Sequence, residues 1–259
     1  MLNAKSVLTM NLWLLLPCIS FAQNNWRSWN AASVNIGITK KIDVRVTHLR
    51  SYELNKDFNN TFNQTSASLS YDFCKNFSVL GGTLVTQLPS NNKNTNRYYA
   101  RLSYKATLLH GISFSNSVQG EINSSNETRF HNRIIYIARI GNKKRFDFLK
   151  LNLSAAYWLY YNVGGNKIRY FDETGNVLAR NSPDGFHRGR LYLNANSRIS
   201  KAFSVSVYYM NQQEFNFFTP ELRKINVTNP VSGKITRQFD NFNTIGITLM
   251  YDINLFKNK

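Results

Sequence analysis

Tyr98-Tyr99-Ala100-Arg101-Leu102-Ser103-Tyr104-Lys105-Ala106-Thr107 is the stretch on which the fold turns. Tyr98, Ala100, Leu102, Tyr104 and Ala106 alternate with Tyr99, Arg101, Ser103, Lys105 and Thr107. Successive side chains of a strand point to opposite faces, so this segment carries one apolar face and one wet, charged face. The same period of two recurs along the chain. It is visible in Val34–Ile38, Ile42–Val46, Ala67–Phe73, Ile112–Ile122, Leu149–Leu159, Leu191–Ala195, Phe203–Tyr209 and Ile245–Ile253, separated by turn residues or Asn-rich loops. Gly81-Gly82 blurs the alternation in Phe77–Leu88 and predicts a bulge or bend there.

An export signal precedes these strands. Lys5 supplies the positive start, Val7 to Ile19 a short apolar run, and Ser20-Phe21-Ala22 a cleavage site, so residues 1–22 read as a signal peptide. The run is too short for a spanning helix. Pro17 stands before Cys18 where lipidation needs a small residue. Cleavage leaves Cys74 as the one thiol of residues 23–259, which excludes an internal disulfide and a CxxC site.

Composition supports a barrel wall. Aromatic residues make up 14% of the chain, charged residues 18%, and the mean hydropathy is −0.37. A soluble domain usually carries about 25% charged residues, and a helical membrane protein is far more apolar. The formal charge of +18 comes with no nucleic-acid-binding motif, so the bases point to anionic lipid headgroups, lipopolysaccharide phosphates or small anionic solutes rather than nucleic acid.

These features predict an all-β, transmembrane, antiparallel up-and-down barrel in residues 23–259, placed in the outer membrane of a Gram-negative bacterium. Eleven strands are visible. Single-chain bacterial barrels normally have an even number, so the expectation is ten to twelve, with twelve preferred. Short connections near Lys40-Lys41, Cys74–Asn76, His110-Gly111, Gly141–Lys144 and Ser200–Ala202 read as periplasmic turns. The long loops Asn162–His187, with a small hairpin at Glu173–Asn176, and Phe217–Arg237 read as outer loops. The last strand, with Phe256 out of phase behind Tyr251 and Ile253, is an imperfect signal for the barrel assembly machinery.

Arg97-Tyr98-Tyr99-Ala100-Arg101, Arg129-Phe130-His131-Asn132-Arg133 and Arg190-Leu191-Tyr192-Leu193 through Tyr209 to Glu214-Phe215-Asn216, with the Trp29 start, carry a likeness. On these residues the chain resembles an uncharacterised family of Bacteroidetes outer-membrane barrels defined only as a domain of unknown function. The resemblance covers nearly all of the chain after residue 22. It implies the barrel and its location, and brings no activity or catalytic residues.

On this register Arg45, Arg101, Lys105, Arg129, Arg133, Lys150, Arg190 and Arg198 face the lumen, with Glu121, His131 and Glu214 as partners. Paired, they form a structural network; in excess, they make any open path favour anions. The function expected first is therefore a small-bore, anion-leaning channel. The alternative is a closed barrel whose long outer loops form a binding or structural platform. A lipid-modifying enzyme comes third. His110-Gly111-Ile112-Ser113 faintly resembles the His-x-Ser element of lipid A deacylases with the spacing wrong by one, and His131 beside a glutamate lacks a nucleophile. No enzyme activity, metal cluster or cofactor is expected, and the oligomeric state is not legible.

Overall fold

The computed structural model describes residues 25–90, 93–108, 111–217 and 219–258. The signal peptide expected at 1–22 and His110 lie outside the described residues. Among the described residues eleven strands close into one barrel. In chain order they are β1 (Trp26–Gly37), β2 (Ile42–Glu53), β3 (Asn59–Asp72), β4 (Phe77–Leu88), β5 (Lys93–Thr107), β6 (Ile112–Asn123), β7 (Phe130–Asn142), β8 (Leu151–Gly165), β11 (Gly185–Arg198), β12 (Phe203–Glu214) and β13 (Phe242–Asn254). Two short strands, β9 (Ile168–Phe171) and β10 (Val177–Asn181), form a separate hairpin between β8 and β11, as the Glu173–Asn176 turn predicts.

The preferred count of twelve is corrected to eleven. Sequential neighbours pair antiparallel, but the ends meet differently: β1 runs parallel to β13 in unbroken register from Trp26↔Asn243 to Gly37↔Asn254. A parallel seam closes an odd number of strands and leaves no exposed edge. Both seam strands therefore start at the end that carries the long loops.

Exposed Val34, Val46, Leu69, Leu102, Val118, Leu193, Val207 and Leu249 lie on the outer face. The outward apolar run on β13, Ile245 to Ile253, spans nine residues. At about 3.3 Å per residue and a tilt of about 40° it rises about 23 Å, close to the height of a bilayer core. Rings gather at the short-turn end, where Phe77 packs between Phe73 (5.8 Å) and Tyr104 (4.9 Å). At the other end Trp26 meets Tyr209 at 6.2 Å and Tyr161 meets Phe186 at 4.8 Å. Rings grouped at both ends of an apolar band are compatible with a wall that faces lipid. Among the described residues no helix is long and apolar enough to cross a membrane, and the strands are what spans this height.

The long-loop end is capped. Segments 166–184 and 215–241 fold on each other: Ser182 N donates to Leu222 O (3.0 Å), Tyr170 Oη to Val227 O (3.0 Å), and Thr236 N to Tyr170 Oη (3.1 Å). Ile225 and Phe239 of the second segment bury with Phe130 at the start of β7. At the cap's edge Glu127 accepts from Arg129 Nε (3.0 Å); burial pushes the Glu127 carboxyl up, but the Arg129 charge and its hydrogen bonds together hold it below the usual carboxylate range.

Candidate functional site: the luminal layer and the vestibule below it

The luminal half nearest the cap is filled by two walls of similar design. On β5, β6 and β7, Arg101 Nε donates to Gln119 Oε1 (2.7 Å), Gln119 Nε2 to Glu121 Oε1 (2.6 Å), and Arg133 Nη2 to Glu121 Oε2 (2.7 Å). Arg97 adds an ion pair to Glu121 at 3.4 Å. On β11 and β12, Arg190 Nε donates to Gln212 Oε1 (2.7 Å), Gln212 Nε2 to Glu214 Oε1 (2.9 Å), and Arg188 Nε to Glu214 Oε1 (2.5 Å). Each wall thus uses a Gln-x-Glu pair, Gln119-Gly120-Glu121 and Gln212-Gln213-Glu214. The spacing of two puts amide and carboxylate on the same luminal face, each gripping an arginine from the adjacent strand.

Tyr160 of β8 stands between the walls, 2% exposed. Its ring lies 4.8 Å from the Arg133 guanidinium, 5.3 Å from Arg190 and 5.8 Å from Arg188. Arg101 sits 5.5 Å over Trp158, and Arg190 5.6 Å over Trp29. Cation–ring contacts of this kind contribute about 0.5–2 kcal/mol each where water is excluded. The plug continues in apolar form with Met210, Phe242 and Trp29, and with Ile135 and Ile137 beside Tyr160. The returning arm of segment 215–241 closes over it, as Gln212 Nε2 also donates to Asp240 O (2.9 Å).

A bulge aims one more residue into this end. Phe186 pairs with Tyr161 and Arg188 with Tyr160, so His187 is the extra residue of β11. An unpaired bulge residue bends the strand and turns its side chain out of the alternation. His187 is fully buried, its ring nitrogens facing Phe215 O (3.2 Å) and Asp184 O (3.0 Å), which ties the cap to the wall.

The anticipated residues are therefore divided. Arg101, Arg133, Arg190, Glu121 and Glu214 meet in the buried layer. Arg129 sits at the cap's edge, with Glu127 and 5.2 Å over Phe239. Arg45, Lys105 and Arg198 are exposed in the half of the lumen that opens at the short-turn end. Two placements are corrected. Lys150 is not luminal: β8 starts at Leu151, Leu149 and Lys150 take positive φ in the turn before it, and Lys150 pairs with Asp147 at 3.4 Å. His131 does not join Glu121 or Glu214. It is exposed, and Phe130 takes the buried place because Ile225 and Phe239 build an apolar seat there.

Arg97, Arg188, Gln119, Gln212, Tyr160 and His187 complete the layer and were not among the residues anticipated for it, although Gln119 falls on the same polar face as Glu121. The repeated Gln-x-Glu on a luminal face was a usable signal for two of them, Gln119 and Gln212. Ser113, the nucleophile candidate, donates its hydroxyl to Gly141 O (3.0 Å).

Short-turn-end geometry differs. Below the layer a cavity of about 540 Å³ is lined by Lys105, Ser113, Ser115, Arg139, Asn152 and Ser154, with Lys75 and Lys143 at its rim.

A closed barrel with an apolar exterior and a cap-side lumen packed with charged and polar side chains falls in the class of β-barrels whose architecture is compatible with a lipid wall. Within that class the chain belongs to the DUF2490 family, a protein family of unknown function whose pattern matches residues 26–221. The match takes in β1 to β12 and ends inside segment 215–241. No curated protein matches the chain.

Proposed function

We propose that this protein is an outer-membrane barrel with a closed lumen, serving as a rigid platform that presents its folded cap to the outside. The observation that carries this reading is the buried layer across the cap-side lumen. Glu121, Arg133, Tyr160, Gln119 and Gln212 are each 5% exposed or less, so the atoms that would line a pore there are out of reach of water. The location rests on the apolar band and its belts. The platform rests on the cap, where two segments far apart in sequence share hydrogen bonds and an apolar centre. This preference replaces the anion channel that the excess of bases favours on sequence grounds, because those bases divide between a packed layer and a chamber with a floor.

Single-channel recording of the refolded protein in a planar bilayer, under a salt gradient, tests it. The expected result is a correctly inserted, silent barrel. Discrete, anion-selective openings that disappear on Arg101→Gln would overturn the closed lumen and restore the channel.

A further inference from the structure

The cavity at the short-turn end has the chemistry of a binding site, and the closed-platform reading makes no use of it. The cross-strand register places Lys105 (β5), Ser115 (β6) and Arg139 (β7) side by side in one row, Lys105↔Ser115 and Ser115↔Arg139. All three have luminal parity, and adjacent strands are about 4.8 Å apart, so two cations flank a hydroxyl at about 9–10 Å from each other. Like charges facing one opening repel one another, and an anion between them relieves that repulsion. Among the described residues no ion pair reaches Lys105 or Arg139. The carboxylates of this end, Asp43, Asp72, Asp147 and Asp252, stand on β2, on β3, in the β7–β8 turn and on β13, and none of them lines the cavity.

Neutral donors surround the two cations. Ser154 and Asn152 line the cavity from the adjoining strand β8, and Lys75 and Lys143 stand on turns pinned by Lys105 N to Asn76 O (2.7 Å) and Lys143 N to Gly111 O (2.8 Å). The cavity is blind at its inner end, where exposure falls from Lys105 and Arg139, both open to solvent, to Gln119, which is 4% exposed. Cations, hydroxyls and amides around a water-filled pocket, with no acid among them, match the acceptor-only surface of an oxyanion.

We propose that this vestibule binds a small oxyanion, a phosphate or sulfate group free or carried on a soluble solute, entering from the short-turn end. The Arg139 guanidinium and the Lys105 ammonium neutralise it, and the Ser115 and Ser154 hydroxyls donate to its oxygens, Ser113 and Asn152 being engaged with Gly141 O and Asn142 O.

Titration calorimetry of the whole protein in phosphatidylcholine nanodiscs, with inorganic phosphate as probe, tests the assignment. A saturable isotherm is expected, with Arg139→Gln and Lys105→Gln each weakening it at least tenfold. Arg139→Lys should stay within about threefold, and Lys144→Gln, outside the cavity, should leave it unchanged. No saturable heat would overturn the proposal, as would equal weakening by Lys144→Gln, which would reduce the effect to general surface charge. Heat-modifiable gel migration checks that each variant is folded; if Arg139→Gln is not, Lys105→Gln, whose side chain is exposed, decides alone. Repeating the experiment in phosphatidylglycerol nanodiscs separates sources: competition by the lipid would overturn a soluble ligand. Phosphate binding by a barrel that also conducts would keep this site and sink only the closed lumen.

Discussion

At the residue scale, the buried ion pairs decide how this lumen is filled. Glu121 and Arg133 are each 5% exposed and joined at 2.7 Å. Removing one partner strands the other charge away from water, so Arg133→Ala should lower stability by about 3–5 kcal/mol. Urea titration of the protein folded into liposomes would measure it. Replacing both, Glu121→Leu with Arg133→Met, should recover part of that loss, since two apolar side chains leave no orphan charge. A double variant no better than the single would mean that the pair is more than charge compensation. Gly246 makes a second residue-level case. It stands opposite Tyr208, and a Cβ at this position would lie 2.0 Å from the ring's Cζ, so the ring occupies the space that glycine leaves. Gly246→Val should displace Tyr208 and cost about 1–3 kcal/mol in the same titration. An unchanged midpoint would show that the ring moves freely.

At the element scale, the seam is the feature that alternation by itself does not disclose. Period-two patterning assigns faces to strands but is blind to which strand lies beside which. Eleven segments were legible one by one in the sequence, and the parity rule for bacterial barrels argued for a twelfth. The parallel pairing of β1 with β13 removes that need. Ala32 and Leu249 are register partners on the outer face. Their Cα separation of about 5 Å across adjacent strands is within reach of a disulfide, which wants about 4.4–6.8 Å. In a Cys74→Ser background, Ala32→Cys with Leu249→Cys should cross-link under mild oxidant and shift on a non-reducing gel. Persistent free thiols in a folded sample would place another strand between them. The bulge at His187 belongs to this scale too: it shifts the phase of β11 by one residue, and only the neighbouring strand β8 reveals it.

At the scale of the whole molecule, the barrel has two unlike ends. The long-loop end is packed shut and capped, and the short-turn end holds the basic, serine-lined vestibule. The cap depends on a few polar clasps. Asn226, at φ 57°, donates its Nδ2 to Phe239 O (2.8 Å) and accepts from Phe239 N (2.8 Å). Asn226→Ala removes both bonds and leaves a non-glycine residue without its local compensation in a left-handed backbone. Losing about 1–2 kcal/mol of local stability should raise trypsin cleavage at Lys224 and Arg237 on the order of tenfold, while the barrel keeps its heat-modifiable migration. Unchanged cleavage would show that the cap is held by its apolar centre alone.

The amino-acid sequence by itself determined the wall: an apolar face every second residue, charged lumen residues such as Arg101 and Arg133, and the places where the chain turns. It did so because strand periodicity and turn chemistry are local, written within a dozen residues at a time. The odd count and its parallel seam, the twin Gln-x-Glu walls around Tyr160, the place of Lys150 in a turn, the separation of His131 from Glu121 and Glu214, and the row of Lys105, Ser115 and Arg139 emerged from the three-dimensional packing. Each of these depends on which residues meet across strands far apart in the chain, and that is set by closure and packing of the whole sheet rather than by any one segment.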